Sequence, residues 1–397
     1  MAKAAEQFET VIIGGGQAGL ATAYHLARRD RSCLVLDAGE RVGDSWRTRW
    51  PSLHLYTPAR YDGLPGMAFP AARHSFPSGH EMGDYLETYA ERFALPVRTG
   101  VHVRSLSREG ERFVLTAGEQ RIEAHNVVVA TGVMQRPAVP EFASELDSGI
   151  RQLHSSEYQD PSQLQDGAVL VVGASHSGAD IAFEVAGEHR TVLSGPSTGQ
   201  FPFSIESRRA RAMLPVLKVL ATRVLTMNTP IGRKVRSEIR SHGGPLLRVR
   251  SADLAAAGVE RVLARTVGVE DGMPVLDDGR VVEAANVIWC IGFRPDYSWI
   301  DLPLEYEDAF PRQSRGAVPS MPGLYFIGML FLHSFSSMLV LGAGRDAKRI
   351  AESIVSRGAP AAREEGVLVW NGKVSAPTRR FDANTAEHLA KAPASRT

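Results

Sequence analysis

Two stretches, TVIIGGGQAGLATAYHLA (Thr10 to Ala27) and AVLVVGASHSGADIAFEVA (Ala168 to Ala186), constrain this 397-residue chain most. In the first, Thr10 to Ile13 reads as a short strand, Gly14 to Gly19 as a GxGxxG loop, and Ala21 to Arg28 as a helix. A second strand, Cys33 to Leu36, then ends at Asp37. Gly14 allows the tight turn, Gly16 lets backbone approach a pyrophosphate, and Gly19 lets helix and strand pack closely. Amide groups at the helix start, around Gln17 and Ala18, would hold the diphosphate. Asp37 lies 23 residues past Gly14, where an acid meets a ribose 2′-hydroxyl.

The second stretch repeats the plan 159 residues later. Strand Ala168 to Val172, loop Gly173 to Gly178, helix Ser177 to Ala186 and strand Thr191 to Leu193 follow in order. Ser175 replaces the middle glycine, which is tolerable where backbone approaches the ligand less closely, and His176 and Ser177 open the helix. Ser194 is read as standing where Asp37 stood. A carboxylate there repels a 2′-phosphate and a small hydroxyl residue with basic neighbours accepts one, so the second loop reads as a site for NADPH, with Arg190, Arg208 and Arg209 as candidate phosphate partners. The strands that close each half also match. IEAHNVVVATG (Ile122 to Gly132) and VEAANVIWCIG (Val282 to Gly292) share 5 of 11 positions without a gap. The fold class expected is therefore α/β: two Rossmann-like dinucleotide-binding domains, each a parallel sheet with an antiparallel β insert. A further apolar strand, GLYFIG (Gly323 to Gly328), has no earlier counterpart. It is expected to return to the first sheet, with the following helix pointing its amino end, near Ala343, at whatever that domain holds. The second domain would then be inserted in the first: residues 1–160 and 295–360 for one, 161–294 for the other, and 361–397 as a loose tail.

Composition removes other classes. Lys and Arg balance Asp and Glu to a net +1, so no global charge points to nucleic acid. No stretch reaches the roughly 20 apolar residues that span a bilayer, and the first apolar segment lacks the flanks of a signal peptide, so the expected location is cytoplasmic. The two cysteines, Cys33 and Cys290, sit in apolar runs with no CxxC, which removes a redox-active dithiol. Histidine spacing supports no metal site.

These residues resemble the FAD- and NADPH-dependent flavin-containing monooxygenases, including the plant indole-pyruvate type and its bacterial relatives. GxGxxG at Gly14, VGDSW (Val42 to Trp46), ATG (Ala130 to Gly132) and GLYFIG stand in family order over about residues 8 to 357. The family fingerprint appears in part, as DSGIRQLHSSEY, with His154 and Tyr158 correctly spaced. The resemblance implies FAD against Gly14, Gly16, Gln17, Ala18, Gly19, Asp37, Ser45, Trp46, Thr131, Gly132, Gly328 and Ala343. It implies NADPH against Gly173, Ser175, His176, Ser177, Gly178, Ser194, Arg208 and Gly292. NADPH would reduce FAD, and dioxygen would form a flavin hydroperoxide that oxygenates a small organic substrate at nitrogen, sulfur or a carbonyl carbon. The segment LHLYTPARYDGLPG holds Thr57 where the family often places an asparagine near the flavin, with Arg60 in place of the following lysine; the resemblance gives Thr57 and Arg60 as the catalytic candidates. His154 and Tyr158 would support the NADPH face.

Residues 205 to 250 carry eleven Arg or Lys against two acids. Met213, Leu214, Leu217, Leu220, Val224 and Leu225 recur at helical spacing, so the insertion is read as at least one amphipathic helix with a basic face. It could gate substrate, attract an anion, touch an acidic membrane surface or simply be solvated. Expected partners are a small-molecule substrate and dioxygen, with no nucleic acid and no integral membrane segment; a homodimer is compatible with the sequence. The alternative activity is an NAD(P)H-dependent flavin reductase that passes electrons to a partner such as a ferredoxin, for which the basic insertion could serve as a dock.

Overall fold

Both glycine loops join a fully buried strand end to a helix in the computed structural model, which describes residues 5–241 and 243–358. The expected tail, 361–397, lies outside the described residues. Strand β1 (Glu6–Ile13) leads to helix α1 (Gln17–Ala27) and β2 (Leu34–Leu36). Helix α2 (Gly79–Arg92) starts at a capping box in which Ser78 and Glu81 satisfy each other's backbone amides. Then come β3 (Val97–Arg98), the hairpin β4 (Ser105–Glu109) and β5 (Arg112–Ala117), and β6 (Gln120–Val129).

The second half begins with β7 (Arg151–His154), β8 (Val169–Val172), α3 (His176–Val185) and β9 (Thr191–Ser194). Helices α4 (Arg208–Val219) and α5 (Pro230–Ser241) precede β10 (Glu260–Val262), the hairpin β11 (Thr266–Glu270) and β12 (Met273–Leu276), and β13 (Asn286–Trp289). Strand β14 (Leu324–Phe326) and α6 (Val340–Arg357) close the described chain.

Pairing registers show how alike the halves are. Ile13 of β1 pairs with Leu36 of β2 and Val129 of β6, and Val129 pairs with Phe326 of β14. Val172 of β8 pairs with Ser194 of β9 and Trp289 of β13, and Trp289 pairs with His154 of β7. Each sheet thus has its glycine loop leaving the carboxyl end of a central parallel strand, the place where open α/β sheets present a crevice. The repeated asparagines do equivalent work behind the crevice: Asn126 Nδ2 donates to the Glu9 carbonyl and Asn286 Nδ2 to that of Gln165.

Two expectations change. Strand β7 pairs with β13, so the second sheet begins before residue 160, the boundary read from sequence. The antiparallel insert behaves differently in the two halves. The β4–β5 hairpin joins the first sheet because β6 is ten residues long and pairs with β5 through its first half. The β11–β12 hairpin stays a separate ribbon, since β13 has only four residues, all spent on its parallel neighbours. The basic insertion, for its part, is a helix, a π turn over Leu220–Val224 and a second helix. Met213, Val216, Val219, Leu220 and Val224 remain exposed on it.

The first sheet has one core, and the second sheet a cluster on each face. Residues 46–53 belong to both: Trp46 packs against the first core and the second, while Trp50 and Leu53 are buried inside the second although the chain has not yet reached it. No described helix is long and apolar enough to cross a membrane. Trp50→Ala empties a site 4% exposed and is expected to cost about 3–5 kcal/mol in urea unfolding, with Trp50→Phe much milder. A loss under about 1 kcal/mol would mean that the two cores are not joined through this side chain.

Candidate active site

At the first mouth, Gly14 has φ +111° and a Cβ there would stand 2.5 Å from the Ala130 carbonyl oxygen; a Cβ on Gly19 would collide with the Gly14 carbonyl. At Gly16 a Cβ would meet no protein atom within 4 Å. The space beside it is therefore open, and helix α1 has no side-chain cap, leaving first-turn amides free for a ligand. Asp37 stands at the rim: its carboxylate accepts from the Gly15 amide at 2.5 Å and the Gly39 amide at 2.8 Å. Gly328 faces the loop from the returning strand, its would-be Cβ 3.4 Å from Ala18 Cβ and 3.9 Å from Gly132 Cα. The structure so brings together Gly14 to Gly19, Asp37, Gly132 and Gly328, with open space beside Gly16 and Gly132. A dinucleotide fits it. Trp46 Nε1 donates to Gln17 Oε1 at 3.2 Å, and Thr131 Oγ1 accepts from Gln135 Nε2. Ser45 is exposed, and Ala343 is buried in the first turn of α6, which also lacks a side-chain cap.

The second mouth repeats the turn. Gly173 has φ +106°, and a Cβ on Gly178 would collide with the Gly173 carbonyl. Ser175 Oγ donates to the Gly244 carbonyl at 3.0 Å, and His176 Nε2 bonds the Pro245 carbonyl at 2.8 Å. The stretch from Gly243 to Pro245 thus lies along this loop. Ser175 spends its hydroxyl there and leaves α3 without a side-chain cap, with Ser177 in its first turn.

Ser194 needs correction. Because Val172 pairs with Ser194 as Ile13 pairs with Leu36, the residue standing where Asp37 stands is Gly195. Ser194 is fully buried and its hydroxyl meets Thr266 Oγ1 at 2.8 Å, so it faces the core. The acid is absent altogether. The guanidinium that sequence reading missed is Arg261, which donates to the Leu193 and Gly195 carbonyls. Of the three arginines expected, Arg190 pairs with Glu260, while Arg208 and Arg209 are exposed at the start of α4 with no ion pair among the described residues.

Thr57 and Arg60 also differ from expectation. Thr57 donates its hydroxyl to Asp62, a carboxyl with no solvent exposure whose Oδ2 lacks any partner. Burial pushes Asp62 up to about 7. Arg60 is exposed and stacks over the Tyr61 ring at 4.7 Å. The same segment reaches helices α1 and α6, since Gly66 abuts Tyr24 and Gly344 abuts Pro65. Asp62 carried no sequence signal because burial alone changes its chemistry.

The two mouths share one structural element. Trp46 touches Gln17, the fourth residue of the first loop. Tyr56 lies against His176, the fourth residue of the second, with ring centroids 4.8 Å apart. Tyr56 also donates to Asp180 Oδ2 at 2.8 Å, and Arg248 holds the Ser52 carbonyl. His154 is buried: Nδ1 accepts from the Ser156 amide, so Nε2 donates to the Gly292 carbonyl at 2.9 Å, and burial holds the ring below its ordinary pKa. His154 therefore fixes Gly292, the second-half equivalent of Gly132. Tyr158 is fully buried and donates to Glu184. Both cysteine thiols are pushed up by burial, Cys33 to about 12.

Comparison with known proteins gives consistent findings. A family model described as pyridine nucleotide-disulphide oxidoreductase matches residues 11–198. A Geobacillus kaustophilus protein called an uncharacterized oxidoreductase, CzcO-like, is 35% identical over 351 residues, 88% of this chain and 98% of that one. The rice (Oryza sativa subsp. japonica) indole-3-pyruvate monooxygenase YUCCA1 is 28% identical over 377 residues, covering 87% and 90%. A flavin-containing monooxygenase from Stenotrophomonas maltophilia superposes with a TM-score of 0.69 at 25% identity, covering 89% of this chain and 99% of that one.

Two outcomes follow from this geometry. Gly16→Ala adds a methyl group that touches only the cradle, so apoprotein melting should stay within about 0.5 kcal/mol of the parent while dinucleotide retention on gel filtration falls at least tenfold; unchanged retention would place the ligand elsewhere. Asp62 has a folded pKa raised above the ordinary carboxyl value, so its stabilising contribution is complete below about pH 4 and is lost as pH rises through about 7. Asp62→Asn should therefore flatten the decline of Tm across that window, and a parallel curve would show that Asp62 titrates normally.

Proposed function

Because the protein belongs to the flavin-containing monooxygenase family, we propose that it is a single-component monooxygenase in which the first sheet holds FAD and the second NADPH. One observation carries this reading: the segment from Trp46 to Tyr56 contacts the fourth residue of both glycine loops, Gln17 and His176, so one piece of chain borders both mouths. Bound together, the cofactors would supply hydride transfer to the flavin and activation of dioxygen, chemistry that belongs to them. The chain's part is to bind, orient and exclude water.

For FAD, the open cradle at Gly16, the α1 amides of Gln17 and Ala18, and the Asp37 carboxylate provide pyrophosphate and ribose contacts, with Gly14 and Gly19 making the turn. Gly132 and Gly328 leave room beside them, and Trp46 covers Gln17. For NADPH, Gly173 and Gly178 make the turn, with Ser175, His176 and Ser177 at the start of α3. Gly195 presents no carboxylate to a 2′-phosphate, which supports NADPH over NADH more directly than Ser194 did. Domain division at the sheets, with β14 returning to β6, lets the second sheet be read as an insertion in the first. His154 then holds Gly292 at the junction.

In the segment whose Pro65 abuts Gly344 of α6, Asp62 is a buried acid poised close to neutrality and bonded to Thr57. A carboxyl in that state can hold a proton at Oδ2 or release one, which Thr57 alone cannot do at neutral pH. The substrate class proposed is a small molecule offering a soft nitrogen, a sulfur or a carbonyl carbon.

The test mixes FAD-loaded protein with NADPH, isotopically labelled dioxygen and a panel of sulfides, amines and ketones. Substrate-accelerated NADPH consumption with label entering the product is expected, and NADPH should exceed NADH at least tenfold in kcat/KM. Fast reduction of an added ferredoxin with no label in any product would overturn the reading.

A further inference from the structure

The basic insertion docks on the segment that follows β14. Met227 donates its amide to the His333 carbonyl, Phe335 donates to the Leu225 carbonyl, and Arg345 bonds the Thr222 carbonyl and the Ser334 hydroxyl. Between the two lies a pocket of about 460 Å³ lined by Thr222, Arg223, Asn228, Arg315, His333 and Arg349, among others. It opens beside the body of α6. None of its lining residues is among those placed at either glycine loop, and Arg349 is nine residues past the first residue of that helix, about 13 Å along its axis.

Charge in this pocket is unbalanced. Arg223 and Arg315 have no acidic partner among the described residues. Arg349 approaches Asp346 only at 3.9 Å and keeps Nη1 buried without a hydrogen-bond acceptor. Asp346, the acid that Arg349 approaches, is bonded through Oδ1 to Arg345. Three guanidinium groups thus line the pocket, and no acidic residue is among its lining. His333 is 6% exposed with its Nδ1 unpartnered, and burial together with Arg349 and Arg345 pushes it down to about 4, so it is a neutral ring with a hydrogen-bonding atom unused. Unpaired buried polar atoms cost free energy unless something completes them.

We propose that this pocket is a binding site for an organic phosphate monoester, separate from both nucleotide mouths, with Arg223, Arg315 and Arg349 as its anion contacts. The three guanidiniums come from three different segments, an arrangement that suits a tetrahedral oxyanion, which accepts from several directions. A planar carboxylate is satisfied by a single bidentate fork. The pocket is larger than a phosphate group alone requires, leaving Asn228 and His333 to meet the organic body.

Calorimetric titration of the FAD-loaded full chain tests the assignment, using inorganic phosphate, glycerol 3-phosphate, succinate and chloride at matched ionic strength. Saturable binding of both phosphates is expected, tighter by at least threefold for the ester, with succinate at least tenfold weaker. In the doubly substituted protein (Arg223→Ala with Arg315→Ala), phosphate affinity should fall at least tenfold while NADPH-driven flavin reduction stays within twofold. Phosphate binding no stronger than chloride, succinate equal to glycerol 3-phosphate, or affinity unchanged in the double variant would each overturn the proposal. None of these outcomes alters flavin reduction, so the monooxygenase reading stands or falls apart from it.

Discussion

At two places in this protein a helix begins so close to the strand before it that a carbonyl oxygen occupies the volume where a side chain would start: Gly14 against Gly19, and Gly173 against Gly178. That approach is possible only with glycine at the fifth position after the turn, and it decides much else. It aims the first turn of each helix at the carboxyl end of the central strand. With no side-chain cap on either helix, the amide groups there remain available, and the positive end of the helix dipole supports an anion. Any larger residue would separate helix from strand and dissolve the mouth.

Two such mouths do not make an enzyme unless they are held together. The chain between residues 46 and 57 does this physically, because its aromatic side chains are shared between cores: Trp46 packs against both, Trp50 is buried in the second, and Tyr56 bonds Asp180 on α3. Removing large apolar area from water is what makes such a joint rigid. At the other side, His154 and Gln135 fix the glycines that end β13 and β6, with Gln135 bonding both Thr131 and the Gly132 carbonyl. Arg49 lies between them, over the Phe293 ring at 5.3 Å.

The insertion shows how a surface feature acquires a specific place. Its basic residues read from sequence as a generic charged face, yet the loop after its π turn is stitched by backbone hydrogen bonds to His333 and Phe335, and Arg345 holds the Thr222 carbonyl of the turn itself. Charge alone would be screened within about 10 Å at ordinary ionic strength. Beside a buried, neutral His333, Arg223 of the insertion joins Arg315 and Arg349 in lining one pocket.

The α/β class, the paired dinucleotide loops, the cradle at Gly14 to Gly19 with Asp37, and the return of Gly323 to Gly328 to the first sheet were all legible from residues alone. Each depends on local chemistry: a glycine that must lack a side chain, a branched apolar run that must be buried, an acid at a set distance from a turn. Pairing register and burial were not legible, because they are set by residues distant in the chain. Register moved the Asp37 equivalent from Ser194 to Gly195, and burial turned Thr57 from a free hydroxyl into the donor to Asp62. Only the tertiary structure could bring Arg223, Arg315 and Arg349 around one pocket, since what they share is space and not sequence.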